Sequence, residues 1–251
     1  MKLCRYEYQS NHYYGEWTEE GLKPFKGDLF SGREATGETH DHADVTLLAP
    51  VEPEKIIGIG ANYVGDKKDL PDTQPEIPVF FYKPASSLVG SGAEVRIPEG
   101  VDEIKFESEL AVVIGKRTKN IEENEVLDSI LGYTVGNDVT APQFFHEAGH
   151  WTVGKSFDTF TPLGPAIQTD LDPLNVYVKA FVNGDEKQNS KSDLMIVSLK
   201  RMVSYLSKVM TLEPGDVILT GSPLGAEFVK KGDKVECTID EIGTLENTFT
   251  K

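Results

Sequence analysis

Residues 105 to 115 read KFESELAVVIG, and the fold turns on how this stretch is read. Leu110 to Ile114 make a short, unbroken apolar run, the length of a buried strand and too short for a membrane span. Side chains two apart on a strand share a face, so Glu107 and Glu109 stand side by side while Ser108 points the other way. Each carboxylate would cost several kcal/mol if held dry and unpaired. The pair must therefore face water, a cationic side chain or a metal ion, and a solvated strand face is the plain alternative.

Outward from this strand, most of the chain reads as β. Ile56 to Ile59 in VEPEKIIGIG forms a second buried strand and opens a more regular organisation than the Tyr-, Gly-, Asp- and His-rich first 50 residues. We expect a small N-terminal module over 1–50 and a main domain over 51–251. KKDLPDTQPEIP (67–78), with its prolines, is an irregular loop that could serve as a lid. IEENEVLDSILG predicts a short helix capped by Asn120, with Glu123 three residues on, and ended by Gly132. Leu199, Met202, Val203, Leu206 and Met210 follow helical spacing up to Pro214-Gly215. VYVKAFVNGDEKQ turns at Asn183-Gly184, and KVECTIDEIGTLENTF turns near Ile242-Gly243. Two helices among many β segments predict an α+β, mainly β fold rather than a regular βαβ alternation.

The chain has 251 residues, 39% hydrophobic and 26% charged, enough for a well-buried core. Its formal charge of −16 disfavours nucleic acid and anionic membranes. The charge suits a protein that holds a cation, as it also suits a dispersed acidic surface or a salt-rich habitat. No signal-peptide-like start and no long apolar run is present, and Cys4 and Cys237 lack metal-ligand spacing; the expectation is a cytoplasmic protein with reduced thiols.

Asp138, in GYTVGNDVTA, ends another apolar stretch where a strand gives way to a loop. With Glu107 and Glu109 it would complete a set of carboxylate oxygens suited to Mg²⁺ or Mn²⁺, leaving coordination positions for water and a chelating substrate. Competing motifs fare worse. HEAGH (146–150) has zincin spacing in a loop-like context, GSPLG lacks the serine position of a nucleophile elbow, and GIGANY lacks the third glycine of a dinucleotide-binding loop.

Taken together, FYKPASSLVGSG, FESELAVVIGK, GYTVGNDVTA, WTVGKSFDTFTPLGP and LTGSPLG, spread from about residue 50 to 251, resemble the fumarylacetoacetate hydrolase family. The resemblance implies a mixed β-roll, a homodimer or higher homo-oligomer, and a divalent cation held by Glu107, Glu109 and Asp138. It also implies that Lys155 lies beside the metal and polarises the substrate, with Lys83, Thr159 and Ser222 as further substrate contacts. Two departures stand out. Where many relatives read NYxxHxxE, this chain has NYVGDKKDL, placing Asp66 and Asp69 at the positions of the water-activating pair. Where many carry an arginine after the metal-ligand aspartate, this chain has Pro142. Gln143, His146 or His150 would have to supply replacement contacts, with either histidine as acid or base near neutral pH.

The expected activity is a metal-dependent reaction of a 2-oxo acid through a stabilised enolate, with carbon–carbon hydrolysis of an acylpyruvate or diketo acid as the default reading. Lyase chemistry on a 2-keto-3-deoxy sugar acid or oxaloacetate, isomerisation, and a non-catalytic ligand-binding scaffold are the alternatives.

Overall fold

Strand Ser108–Ile114 runs through the middle of the largest of three sheets in the computed structural model, which describes residues 1–251. It pairs antiparallel with Ile130–Asn137 on one side, Ser108 opposite Asn137, and with Val217–Leu219 on the other. Beyond Val217–Leu219 lie Ile56–Ile59, parallel to it, and the antiparallel strand Phe80–Lys83. Beyond Ile130–Asn137 come Thr161–Gln168 and then three N-terminal strands, Lys2–Tyr8, Asn11–Thr18 and Gly21–Lys26. The first 50 residues thus extend the same sheet.

All seven residues of Ser108–Ile114 are buried, because each face meets apolar neighbours. Leu110, Val112 and Ile114 enter the larger core with Val178, Ala180, Val235 and Cys237 of the second sheet. Ala111 and Val113 enter a smaller core with Leu3, Leu163 and Ile167. The second sheet runs in the order Asp185–Lys191, Tyr177–Val182, Lys234–Ile239, Gly243–Thr250, Glu94–Arg96. The hairpins expected at Asn183-Gly184 and near Ile242-Gly243 both form within it. The result is the α+β, mainly β architecture expected, with a β-rich N-terminal segment.

Leu199–Val209 is the single α-helix, capped by the Ser198 side chain, which accepts from the Arg201 N–H at 3.2 Å. Its apolar stripe of Leu199, Met202, Val203 and Leu206 is buried in the larger core. No helix is long and apolar enough to cross a membrane. The loop 67–78 is irregular apart from one turn of 3₁₀ helix, Lys67–Asp69.

The helix expected over 120–132 does not form. Glu123–Glu125 and Leu127–Ser129 are single 3₁₀ turns, and Ile130 already begins a strand. The capping box is built by Glu122 and Glu125, not Asn120, whose φ is 54°. A helix of so few residues is marginal by itself, and the ladder that Ile130 and Gly132 make with Ile114 and Val113 wins.

Candidate metal centre and its pocket

The pairing of Ser108 with Asn137 brings Glu107 and Asp138 together just past the ends of two neighbouring strands. The Glu107 carbonyl accepts from the Asp138 N–H at 2.8 Å, and the Glu107 N–H donates to Asn137 Oδ1 at 2.9 Å. Glu107 therefore lies one residue outside the strand, yet the same-face relation with Glu109 holds: potential ligand oxygens of Glu107, Glu109 and Asp138 lie within 4.8 Å of one another. Ser108 points away, donating to the Lys179 carbonyl at 3.0 Å. Glu109 Oε2 accepts from the Gly221 N–H at 2.6 Å.

Two lysines balance this charge. Lys155 Nζ donates to Glu107 Oε2 at 2.7 Å and to Asp138 Oδ2. Lys83 Nζ forms a buried ion pair with Asp138 Oδ1 at 2.6 Å and donates to the Val139 carbonyl at 3.1 Å. Burial pushes the Glu109 carboxyl well above the usual carboxylate range, and the charges of Asp138 and Glu107 push it further. Burial also raises Glu107, partly offset by Lys155. For Asp138 burial acts upward too, but Lys155 and Lys83 outweigh it and hold that carboxyl below its ordinary value. Burial would lower Lys155, but Asp138 and Glu107 overcome it and keep its ammonium protonated.

This donor set fits a hard divalent cation. Three carboxylates gather on one point, and the two lysines beside them leave a net negative charge for a cation to offset.

The centre forms the floor of a pocket of about 400 Å³. Phe81, Phe145 and Trp151 make an aromatic wall, and Ser222 to Ala226 the other side. The wall explains two glycines of GIGANY: a Cβ on Gly58 would lie 2.3 Å from the Phe81 ring, and one on Gly60 2.3 Å from the Trp151 ring.

Residues 55–250 match the model of the fumarylacetoacetate (FAA) hydrolase C-terminal domain, and residues 1–50 match the Rv2993c-like N-terminal model. The chain belongs to the fumarylacetoacetate hydrolase family. It is similar to mitochondrial oxaloacetate tautomerase fahd2 of Xenopus laevis, 42% identical over 245 residues, covering 92% of this chain and 76% of that one. It is also similar to protein Rv2993c of Mycobacterium tuberculosis, 40% identical over 240 residues, covering 94% and 91%. Among solved structures, a 5-carboxymethyl-2-hydroxymuconate delta-isomerase from Mycobacterium smegmatis superposes with a TM-score of 0.93 at 38% identity, covering 100% of this chain and 99% of that one.

Within this family fold, the residues singled out from the sequence fall into two groups. Glu107, Glu109, Asp138, Lys155 and Ser222 line the pocket, and Lys83 sits buried behind Asp138. The others do not line it. Gln143 is exposed and donates to the Glu103 carbonyl at 3.0 Å, and Thr159 Oγ1 accepts from the Arg96 N–H at 2.8 Å. His146 and His150 are exposed on the loop that carries Phe145 and Trp151. Their rings are 6.0 Å apart in a non-helical turn, so HEAGH lacks the helical geometry of a zincin. Asp66 caps the 3₁₀ turn Lys67–Asp69, and neither it nor Asp69 lines the pocket.

The lining also includes Lys105, Phe81, Phe145 and Trp151, which the sequence reading does not single out. The signal for Lys105 was present, since it continues the two-residue period of Glu107 and Glu109. The aromatics carry no comparable signal, because only the chain's folding sets them around the glycines.

Proposed function

We propose that this chain is a divalent-metal-dependent enzyme that moves a proton on a short 2-oxo acid, interconverting keto and enol forms or double-bond isomers. The observation that carries this reading is the make-up of the pocket: three convergent carboxylates and a protonated Lys155, with no histidine among the lining residues. Glu107, Glu109 and Asp138 would hold the cation, with Mg²⁺ or Mn²⁺ suited to an all-carboxylate set. A cation bound there supplies Lewis acidity toward the oxo group and neutralises negative charge that develops on it. Lys155 stays an ammonium, so it serves as a donor and fixed positive charge that orients the substrate carboxylate, not as a base. Phe81, Phe145 and Trp151 exclude water from one side of the bound acid. The positions of the water-activating pair carry Asp66 and Asp69, both outside the pocket lining, which favours proton transfer over addition of water. The names of the Xenopus tautomerase and the mycobacterial isomerase agree with this choice.

Carbon–carbon hydrolysis of an acylpyruvate is the second reading, favoured by the match to a hydrolase-domain model over residues 55–250. One experiment separates the two: oxaloacetate and an acylpyruvate are incubated in D₂O with Mg²⁺ or with a chelator and followed by NMR. Mg²⁺-dependent exchange of the protons beside the oxo group, or enol–keto conversion without cleavage, is the expected result. Cleavage products would establish hydrolysis or lyase chemistry, and neither exchange nor products would defeat the enzymatic reading for these acids.

A further inference from the structure

We infer that Lys105 is a specificity-determining residue of this site, the side chain that binds a distal carboxylate on the substrate. The inference deepens the proposed 2-oxo acid chemistry and rests on it. Two of the residues lining the pocket are cationic, Lys105 and Lys155. Lys155 is almost fully buried, and its ammonium is already engaged by Glu107 and Asp138. Lys105 differs in both respects. Its side chain is 33% exposed, its nearest acidic oxygen is Glu107 Oε1 at 3.8 Å, beyond hydrogen-bond length, and its Nζ makes no hydrogen bond to the protein. A lysine ammonium carries three donors, and here all three are available to a ligand.

The head of this side chain is free while its base is fixed. The Lys105 N–H donates to the Thr140 carbonyl at 2.7 Å, the Thr140 N–H returns a bond to the Lys105 carbonyl at 2.9 Å, and Lys105 pairs with Phe228 across a two-stranded ribbon. Lys105 therefore stands one two-residue step outward from Glu107 on the side of the carboxylate floor. The rest of the lining offers no other free positive charge: Phe81, Phe145 and Trp151 are apolar walls, and the Ser222 hydroxyl, which accepts from Gln188 Nε2 at 2.9 Å and donates to the Pro223 carbonyl at 3.5 Å, is neutral. An acid whose oxo-carboxylate head sits over Glu107, Glu109 and Asp138 finds a single uncommitted cation for its other end. Because Lys105 lies so near Glu107, that end must be only a short chain away.

The test compares two probes that share a 2-oxo acid head and differ in a distal carboxylate, 2-oxoglutarate and 2-oxopentanoate. Their binding to the Mg²⁺-loaded protein is measured by calorimetry, with the fluorescence of Trp151 in the pocket wall as a second readout. The wild-type protein should bind 2-oxoglutarate about tenfold more tightly, the size of one partly buried charge-assisted hydrogen bond. Lys105→Met should erase that preference while holding 2-oxopentanoate within about twofold, and Lys105→Arg should keep most of it. A preference that survives in Lys105→Met would overturn the proposal. Equal weakening of both probes would also overturn it, because Lys105 would then act only on the charge of Glu107. Equal binding of the two probes by the wild type would defeat the distal-carboxylate proposal alone, whereas binding of neither would defeat the 2-oxo acid reading beneath it.

Discussion

Glu109 shows most directly how one residue's surroundings set its chemistry. It is buried beside two other carboxylates, and no lysine pairs with it; the Gly221 N–H is its sole protein donor. Glu109→Gln should therefore weaken Mg²⁺ binding by about 100-fold or more, equivalent to roughly 2.7 kcal/mol. Unchanged affinity in calorimetry would place the cation elsewhere. The sign of the pH dependence follows from the same surroundings. A cation needs Glu109 and Glu107 ionised, and both carboxyls are raised, so binding releases protons and Mg²⁺ affinity climbs as pH rises through their elevated range. Titrations in buffers of different ionisation enthalpy would read that release directly. Lys155 acts in the opposite sense, because it places a positive charge against the floor. In Lys155→Met, turnover should fall by about 10²- to 10³-fold while Mg²⁺ affinity tightens. A parallel loss of both would mean that Lys155 only holds the carboxylates in place. The Glu107–Glu109 pair is legible from strand period and Asp138 from the family resemblance, whereas Lys105 obeys the same two-residue period without a motif to mark it.

At the scale of elements, the site depends on where strands stop. The turn after Val217–Leu219 carries Gly221 at φ 102°, a conformation that favours glycine, and a Cβ there would lie 2.6 Å from Asn62 Cβ. Asn62 is itself a fully buried cross-link, donating to the Thr220 and Val197 carbonyls at 2.8 and 3.2 Å and accepting from the Val197 N–H at 2.8 Å. Gly221→Ala should cost about 1–3 kcal/mol in urea unfolding and also weaken Mg²⁺ binding, because the displaced N–H no longer holds Glu109. The capping substitution Ser198→Ala provides the contrast: about 1 kcal/mol of stability lost with Mg²⁺ affinity unchanged, since the helix supports the core and touches no ligand. Equal effects of the two variants on metal binding would show that affinity simply follows global stability. The segment 120–132 shows why local pattern misled. A capping signal and four apolar residues suit a helix, yet strand pairing with Ser108–Ile114 takes Ile130 onward. That competition involves the preceding strand, which lies outside the span of a local helical pattern.

For the whole molecule, the centre couples stability to pH and to the cation. In metal-free protein, Glu107 and Glu109 have folded-state pKa values above their unfolded ones. The stability they contribute is fully present below the unfolded value and is lost as pH rises through the raised values. Asp138 is lowered, so its contribution is present above its unfolded value and lost as pH falls through the depressed one. Chelated protein should accordingly melt at a progressively lower temperature as pH rises above the ordinary carboxylate range. Saturating Mg²⁺ should remove most of that difference, adding about 2.7 kcal/mol at 100 times its Kd. A melting temperature that ignores both pH and Mg²⁺ in this range would mean that the triad is solvated and does not gather a cation.

Strand period, helix period and turn residues are local rules, and by themselves they determined much here: the mainly β class, the helix beginning at Leu199, the irregular 67–78 loop and the pairing of Glu107 with Glu109. Family motifs spread over the chain added Asp138 and Lys155. What only the tertiary structure decided is which distant residues meet. It seats Phe81 and Trp151 on Gly58 and Gly60, leaves Gln143, Thr159, His146 and His150 outside the pocket lining, and leaves Lys105 as the uncommitted cation. The physical reason is that strand register, close packing and charge balance are set between segments remote in sequence, where no local period carries information. A carboxylate pair can be read from one strand, but the lysine that neutralises it and the ring that walls it in arrive from elsewhere.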